Sequence, residues 1–425
     1  MKIVFKNIDQ PEQFKIENYI KNGGYQALPK VLNQHRPDEV IEIVKKSGLR
    51  GRGGAGFPTG LKWSFVPKDS PKTKYLCVNA DESEPGTFKD REIMEKDPHL
   101  MIEGSIIASY AIKAEVCFVY IRGEFTLAGR RLEQAIQEAY FKGYLGKNTL
   151  GSGFNLEMIL FRGAGAYICG EETALLDSLE GKKGLARVKP PFPAVEGLYK
   201  CPTVVNNVET LANVPEIILK GADWFAAIGT PKSTGTKLFS LSGHVNKPGN
   251  YELVMGTPLR YLIYDLGGGI KNGKKIKAII PGGPSVPFLL EEHLDTPLDF
   301  ESLQQAGSML GSGAVIVMDE TTCMVETARI LIWFFKHESC GKCTPCREGT
   351  MWLHQVLERI EHGNGRQEDI DLLLRISDNI DGKTICALGD AAIVPVRSTI
   401  KHFRNEYEHH VKNKNCFTKT LAPFN

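Results

Sequence analysis

The stretch Arg50-Gly51-Arg52-Gly53-Gly54-Ala55-Gly56-Phe57-Pro58-Thr59-Gly60-Leu61-Lys62 limits this chain more than any other. Gly51, Gly53 and Gly56 stand in G-x-G-x-x-G spacing, with Gly54 as an extra glycine. Glycine lacks a Cβ, so such a run takes left-handed conformations and lets main-chain N–H groups come close to a ligand. Consecutive exposed N–H groups form an anion-binding concavity. Arg52 and Lys62 bracket it with positive charge, which suits a phosphate or a pyrophosphate. In the common dinucleotide fold such glycines follow a strand directly. Here they follow residues 38–46, whose Val40, Ile41 and Val44 recur at helical spacing, closed by Gly48. A plain flexible turn is the alternative, and the rest of the chain has to decide.

A chain of 425 residues calls for two or three domains. Hydrophobic content of 42% and charged content of 24% are those of an ordinary globular protein. A formal net charge of +2 gives no argument for nucleic acid or an anionic membrane surface. No apolar run approaches the roughly 18 residues of a spanning helix, and residues 1–7 lack a signal-peptide apolar region. The expected setting is intracellular, where 10 cysteines point to metal or redox work rather than disulfides.

Residues 1–34 are polar, contain Gly23-Gly24, and read as an arm on the surface. Beyond the glycine loop, residues 58–65 start a short helix with Pro58 in its first turn, its N-terminus expected to face the anion. Residues 75–79 form a buried strand running into Ala80-Asp81-Glu82-Ser83-Glu84-Pro85-Gly86, the position where open α/β sheets place ligand contacts. Asn79, Asp81, Glu82 and Glu84 are candidates to accept bonds from ribose or ribityl hydroxyls or an amide; a solvated acidic turn is the alternative. Helix 98–113, strand 116–121, helix 127–140 and strand 156–161 follow. Such alternation means a parallel sheet with right-handed crossovers.

The third strand leads into Arg162-Gly163-Ala164-Gly165-Ala166-Tyr167-Ile168-Cys169-Gly170-Glu171-Glu172-Thr173 and a helix over 173–179. Tyr167 offers a flat wall. Glu171 and Glu172 fall in the first helical turn, where a carboxylate is also an ordinary helix-dipole device. Lys182, Lys183, Arg187 and Lys189 follow, then Pro190-Pro191-Phe192-Pro193, in which Phe192 is placed to stack on a base; a solvated basic loop is the alternative. Asn207 reads as a helix N-cap, and the pair Asn206-Asn207 also suits a phosphate or flavin contact. Composition changes around 229–236, a domain boundary. Beyond it lie strands 238–241 and 251–254, helix 259–266, and strands 277–280 and 314–318, a small α+β module without a visible catalytic constellation. His244 is expected to be structural.

An apolar helix over 327–336 then runs into Cys340-Gly341-Lys342-Cys343-Thr344-Pro345-Cys346. Three thiolates in C-x₂-C-x₂-C spacing match three corners of an iron–sulfur cubane. Cys386 is the preferred fourth ligand. Cys416, in a polar tail, and Cys323, across an apolar helix, are poorer. Zinc sites usually share four ligands evenly between two knuckles, so the pattern favours a 4Fe-4S cluster. Residues 347–411 read as helical throughout.

The glycine run with its flanks Leu49 and Trp63 closely resembles a signature of the NADH-binding flavoprotein subunits of respiratory complex I. So do residues 79–86, 163–175 and 338–349, in order and over nearly the whole chain. The resemblance implies an α/β fold: a Rossmann-like FMN domain with a parallel sheet (35–232, after the arm 1–34), a ubiquitin-like α+β module (233–321), and a C-terminal helical bundle carrying the cluster (322–425). It implies that Gly51, Arg52, Gly53, Gly54, Lys62, Asn79, Asp81, Gly170, Asn206, Asn207 and Thr210 hold FMN. Phe57, Phe65 and Phe192 would stack on NADH, with Glu82, Glu84, Tyr167 and Glu172 lining its site. Ala55, Gly56, Glu171, Lys189 and Val205 complete the expected cofactor-binding set. Cys340, Cys343, Cys346 and Cys386 would bind the cluster.

The implied reaction is hydride transfer from NADH to FMN, then one-electron transfer to the cluster and onward to quinone. Lys62, Glu84 and Glu172 are the expected catalytic positions, acting through alignment and electrostatics, since no general base is needed. Arg52 and Lys62 would favour the anionic reduced flavin. The implied partners are a small thioredoxin-like 2Fe-2S subunit and the rest of the complex I peripheral arm, with no nucleic acid and no direct membrane span. The implied location is cytoplasmic, against the inner side of the cell membrane. Fewer than about 50 residues precede the glycine loop, too few for a fused iron–sulfur module. That weighs against the nearest alternative, the diaphorase subunit of an NAD-reducing hydrogenase or formate dehydrogenase. A zinc-stabilised, non-catalytic binding module is the alternative of another class.

Overall fold

The computed structural model describes residues 1–416. Its first sheet has four parallel strands, β1 (Tyr75–Ala80), β2 (Val116–Ile121), β3 (Glu157–Arg162) and β4 (Thr203–Asn207), in the order β3-β2-β1-β4. The first three are the predicted strands. The fourth is new: the sequence marks it only as the lead into a helix. It pairs with β1 in register, so that Asn79 lies abreast of Asn207. The chain winds outward from β1 through β2 to β3 and returns on the other side of β1. The β1/β4 boundary is therefore the topological switch point, where the crevice of an open α/β sheet opens beyond the strand ends.

The helix Pro98–Ile112 is buried on nearly every face beneath this sheet. Its Glu103 accepts the main-chain N–H groups of Tyr25 at 2.9 Å, Ala27 at 3.0 Å and Leu28 at 3.2 Å, and the Tyr19 hydroxyl at 2.5 Å. The N-terminal segment is thus no surface arm. Ile3, Val4, Phe5, Ile16, Tyr19, Leu28 and Val31 belong to the main core. Glu252, far along the chain, accepts the N–H groups of Ile3, Val4 and Phe5 at 2.8, 3.0 and 2.7 Å. Two buried carboxylates reel in a segment whose own sequence is mostly polar.

The second sheet is mixed: β5 (Thr236–Gly243), β6 (Gly249–Val254), β7 (Ile276–Ile280) and β8 (Ala314–Asp319), in the order β6-β5-β8-β7. β5 runs parallel to β8 and antiparallel to β6, and β7 is antiparallel to β8. The predicted helix over 259–266 is present, its last six residues, Tyr261–Leu266, wound as a π-helix. Four helices follow, Met324–Glu338, Thr344–Glu361, Gln367–Ile380 and Ala387–Asn413, and bury Ile332, Leu353, Leu357, Leu373, Val396 and Tyr407 between them. Residues 362–366 and 381–386 break the expected continuous helix. Among the described residues no helix is long and apolar enough to cross a membrane.

Candidate functional site

A cavity of 530 Å³ opens at the β1/β4 switch point. That volume suits a cofactor-sized ligand. Gly53, Gly54 and Ala55 line one side, with Asn79, Asp81, Glu82, Glu84, Tyr167, Gly170, Glu171 and Asn207 around it; Cys386, Ala387 and Leu388 line another part of the same wall.

The loop is closed by a short bridge between Arg50 and Pro58, with Gly51 N–H donating to Phe57 O at 2.9 Å. Gly54 has φ +151° and nothing within 4 Å of where a Cβ would stand. Gly56 has φ +65°, and a Cβ there would strike the Phe300 ring at 2.3 Å. Among the described residues, the N–H groups of Gly53, Gly54 and Ala55 find no protein acceptor, and all three residues face the cavity. Gly53 and Ala55 are exposed and Gly54 half-buried at the open cavity, so three consecutive N–H groups there form a concavity suited to an anion.

The cations differ from expectation. Arg52 does not flank the loop: it is 0% exposed, its Nη2 donates to Thr234 O at 2.7 Å, and burial pulls its guanidinium down to about 10. Lys89, which carries no signal in the sequence, lines the cavity instead. Its Nζ lies 2.8 Å from Asp90 Oδ1 and 2.7 Å from Glu209 Oε2. Burial works against that charge, and Asp90 and Glu209 more than restore it. Lys237 Nζ, pushed down to about 7 by burial, donates to Arg52 O at 3.0 Å and so pins the loop from the second sheet.

Lys62 pairs with Glu172 at 2.8 Å, and Lys189 reaches both Glu171 at 3.1 Å and Glu172 at 2.9 Å. The expected positive bracket is therefore a balanced network of two cations and two carboxylates. Burial opposes the Glu172 charge, but Lys62 and Lys189 overcome it and hold the carboxyl at about 2. Glu171 is the N-cap of the helix Glu172–Leu179, accepting from Thr173 and Ala174 N–H. No residue of the helix Thr59–Ser64 lines the cavity, and its first N–H, from Thr59, donates to Leu49 O.

Asp81 is pushed up to about 7 by burial, and burial beside Asp90 raises Glu82 to about 7 as well. Glu82 accepts Asp90 N–H at 2.7 Å and Arg91 N–H at 2.9 Å. Glu84 accepts the Tyr167 hydroxyl at 2.7 Å and the Ser285 hydroxyl at 2.6 Å. Asn79 Nδ2 donates to Gly170 O at 2.9 Å. Asn207 caps the next helix as predicted, accepting from Thr210 N–H at 3.3 Å.

Asn206, Thr210 and Val205 stand behind the cavity and do not line it. Asn206 Oδ1 accepts the Trp63 indole N–H at 2.7 Å, the Thr210 hydroxyl accepts Arg52 N–H at 2.8 Å, and Val205 is core. Gly51 and Gly56 shape the loop without lining the cavity. Phe57, Phe65 and Phe192 are 46%, 50% and 58% exposed, with Phe57 and Phe65 6.1 Å apart. The second sheet contributes wall residues that carry no signal in sequence: Gly282, Ser285, Gly311 and Ser312, the last hydrogen-bonded to Thr87 at 2.7 Å. Only their glycine- and serine-rich loops beside β7 and β8 hint at them.

Cys340, Cys343, Cys346 and Cys386 share one packed cluster with Tyr167, Ile168, Phe334 and Phe335. Cys343 and Cys386 are the N-caps of the helices Thr344–Glu361 and Ala387–Asn413, so two positive helix ends meet the sulfurs. Burial, with the other three thiols close by, pushes Cys346 up to about 12; burial, with Glu171, Cys340 and Cys343 nearby, pushes Cys386 to about 11. Four thiolates here need a cationic core to balance them. Three cysteines in C-x₂-C-x₂-C spacing packed with a fourth in one cluster fit a 4Fe-4S cluster. Lys342 Nζ ties the cysteine loop to the first domain through Ala186 O at 2.6 Å.

Family models agree with these features. The Nuo51 FMN-binding domain matches residues 44–216, the SLBB domain 238–289, and the NADH-ubiquinone oxidoreductase-F iron-sulfur binding region 326–410. The second F-type NADH-quinone oxidoreductase subunit of Rhizobium meliloti is 57% identical over 97% of this chain and 98% of its own length. The F-type NADH-quinone oxidoreductase subunit of Mycobacterium bovis is 58% identical over 97% of this chain and 94% of its own. Among solved structures, an NAD+-reducing [NiFe]-hydrogenase in the H2-reduced state superposes with a TM-score of 0.82 at 39% identity, covering 89% of this chain and 63% of that longer one. An amide cradle at a switch point, a cysteine quartet of which Cys386 reaches the same cavity, and 57–58% identity over 97% of the chain together mean that the chain belongs to the family of F-type NADH-quinone oxidoreductase subunits.

Proposed function

We propose that this chain is the electron-entry subunit of an NADH-quinone oxidoreductase. The observation that carries this reading is the shared wall: one cavity is lined both by the Gly53–Gly54–Ala55 amides and by Cys386. FMN, when bound, supplies a carrier that takes a hydride from NADH and gives up electrons one at a time. The chain's own residues bind and align. The free amides of Gly53, Gly54 and Ala55 hold the phosphate, with the Lys89 cation beneath. Asn79, Asp81 and Asn207 accept or donate to hydroxyls and amides along the cavity. Exposed Phe57, Phe65 and Phe192 are platforms for the rings of NADH, and Glu84 and Tyr167, locked to each other, fix one wall. Cys340, Cys343, Cys346 and Cys386 hold the 4Fe-4S cluster. The Lys62–Glu172–Lys189 network sets the charge at the rim.

We assign three units: residues 35–232 to FMN and NADH, 233–321 to an adapter beside the cavity, and 322–425 to the cluster. Residues 1–34 brace the first two. Relatives named as subunits of NADH-quinone oxidoreductase support membership of a multisubunit complex. We place the chain beside a small 2Fe-2S subunit, peripheral to the inner face of the cell membrane, where NADH is available and quinone is in reach. The higher identity to quinone-reducing relatives, 57–58% against 39% for the hydrogenase chain, favours this reading over a hydrogenase diaphorase.

The test is Gly53→Val. A Cβ at Gly53 already meets Asn207 at 3.1 Å, so the larger side chain spoils the cradle. Flavin per chain, measured by absorbance after release, is expected to fall while iron stays at the wild-type level. Full flavin content in this variant would overturn the assignment.

A further inference from the structure

Cys323 and Cys416 lie outside the iron–sulfur set, yet they meet. Cys323 is the N-cap of the helix Met324–Glu338, its sulfur accepting Glu326 N–H at 3.4 Å. His410 is in the last turn of the helix Ala387–Asn413 and is fully buried. Cys416 follows just past the end of that helix. Cys323 Sγ is 3.3 Å from His410 Nε2, and the ligand atoms of Cys323, His410 and Cys416 all lie within 4.8 Å of one another. On the other side of the ring, His410 Nδ1 is 3.5 Å from Glu361 Oε2, a carboxylate whose side chain is 3% exposed.

We propose that Cys323, His410 and Cys416 bind a zinc ion that clasps the first and last helices of the bundle. Bonds of about 2.3 Å to sulfur and 2.0 Å to nitrogen place tetrahedral ligands closer together than the observed limit, so only a small contraction is needed. Two sulfurs and an imidazole are the ligands that zinc prefers, with the fourth position left to water. The carboxylate of Glu361 behind Nδ1 fixes the imidazole with Nε2 turned to the metal, the usual outer-shell device at such sites. The helix N-terminus at Cys323 favours its thiolate. Binding releases the two thiol protons, and the dication cancels the two thiolate charges in a largely buried site. The site is separate from the cluster: the 15-residue helix Met324–Glu338 between Cys323 and Cys340 spans roughly 22 Å at 1.5 Å per residue.

The test measures zinc and iron together in the full complex, purified without chelator or a histidine tag. Wild type is expected to carry one zinc per chain in addition to the cluster iron. Cys416→Ser, at the margin of the fold, is expected to lower zinc by at least roughly ten-fold with flavin and iron unchanged. Zinc-edge X-ray absorption should show two sulfurs and one imidazole, and Cys323→Ser should remove one sulfur from that shell. Wild-type protein without zinc would overturn the proposal. So would zinc content indifferent to Cys416→Ser, or a Cys323–Cys416 disulfide in protein alkylated at lysis.

Discussion

At the scale of single residues, a charge network reaches the cavity through Glu171, which Lys189 shares with Glu172. Lys62 is balanced by Glu172, which Lys62 and Lys189 hold at about 2 against burial. The Glu172 carboxylate therefore stays ionised across the physiological range. Lys62→Glu would set a third carboxylate against Glu171 and Glu172 with only Lys189 to answer them. Flavin retained on purification is expected to drop by roughly ten-fold, equivalent to about 1.4 kcal/mol of lost binding; gel filtration followed by fluorescence reads it. Asp97 behaves oppositely. It is buried away from the cavity and pushed up to about 7, with Gln13 as its side-chain partner at 3.3 Å. A carboxyl whose folded pKa is raised holds its proton in the folded chain after the unfolded chain has lost it. Its contribution to stability is present below about pH 4 and is lost as pH rises from there to about 7. Asp97→Asn is therefore expected to lose less thermal stability between pH 5 and pH 8 than wild type, by calorimetry.

At the scale of elements, the first sheet is readable where the strands are apolar. β1, β2 and β3 announce themselves as runs such as Val116-Cys117-Phe118-Val119-Tyr120-Ile121. β4 ends in Asn206-Asn207, and those polar residues conceal a strand that is buried for most of its length. The N-terminal segment misleads for a related reason: what holds it is Glu103 and Glu252, supplied from far along the chain. Local periodicity cannot show a partner at such a separation. Glu103→Ala leaves three buried N–H groups without an acceptor and is expected to cost about 3–5 kcal/mol in denaturant unfolding, with Glu103→Gln recovering part. Protease cleavage within residues 1–34 should appear in the alanine variant first.

At the scale of the whole molecule, the cavity is lined from both sheets' loops and from the helical bundle. The glycine run and the cysteine run are legible because their chemistry is local: spacing alone proposes amides for an anion and thiolates for iron. Arg52 misleads because charge in a sequence says nothing about direction, and its side chain points inward to Thr234 O. Lys89, Ser285 and Ser312 stay hidden because each matters only once two sheets are packed together. Cys386→Ser tests the shared wall at this scale. Iron per chain and quinone-linked NADH oxidation are expected to fall, while flavin content and NADH oxidation by a one-electron dye stay within about two-fold of wild type.

The pinning of the glycine loop from the second sheet, through Lys237 to Arg52 O and Arg52 to Thr234 O, has a bearing on biosynthesis. A nascent chain displaying only its first two hundred residues has the glycines but neither anchor. Ser285, Gly311 and Ser312 leave the ribosome later still. Loading with flavin is therefore a late event, following the docking of segments made roughly 10–50 seconds apart at ~5–20 residues per second. A truncated translation product would emerge colourless.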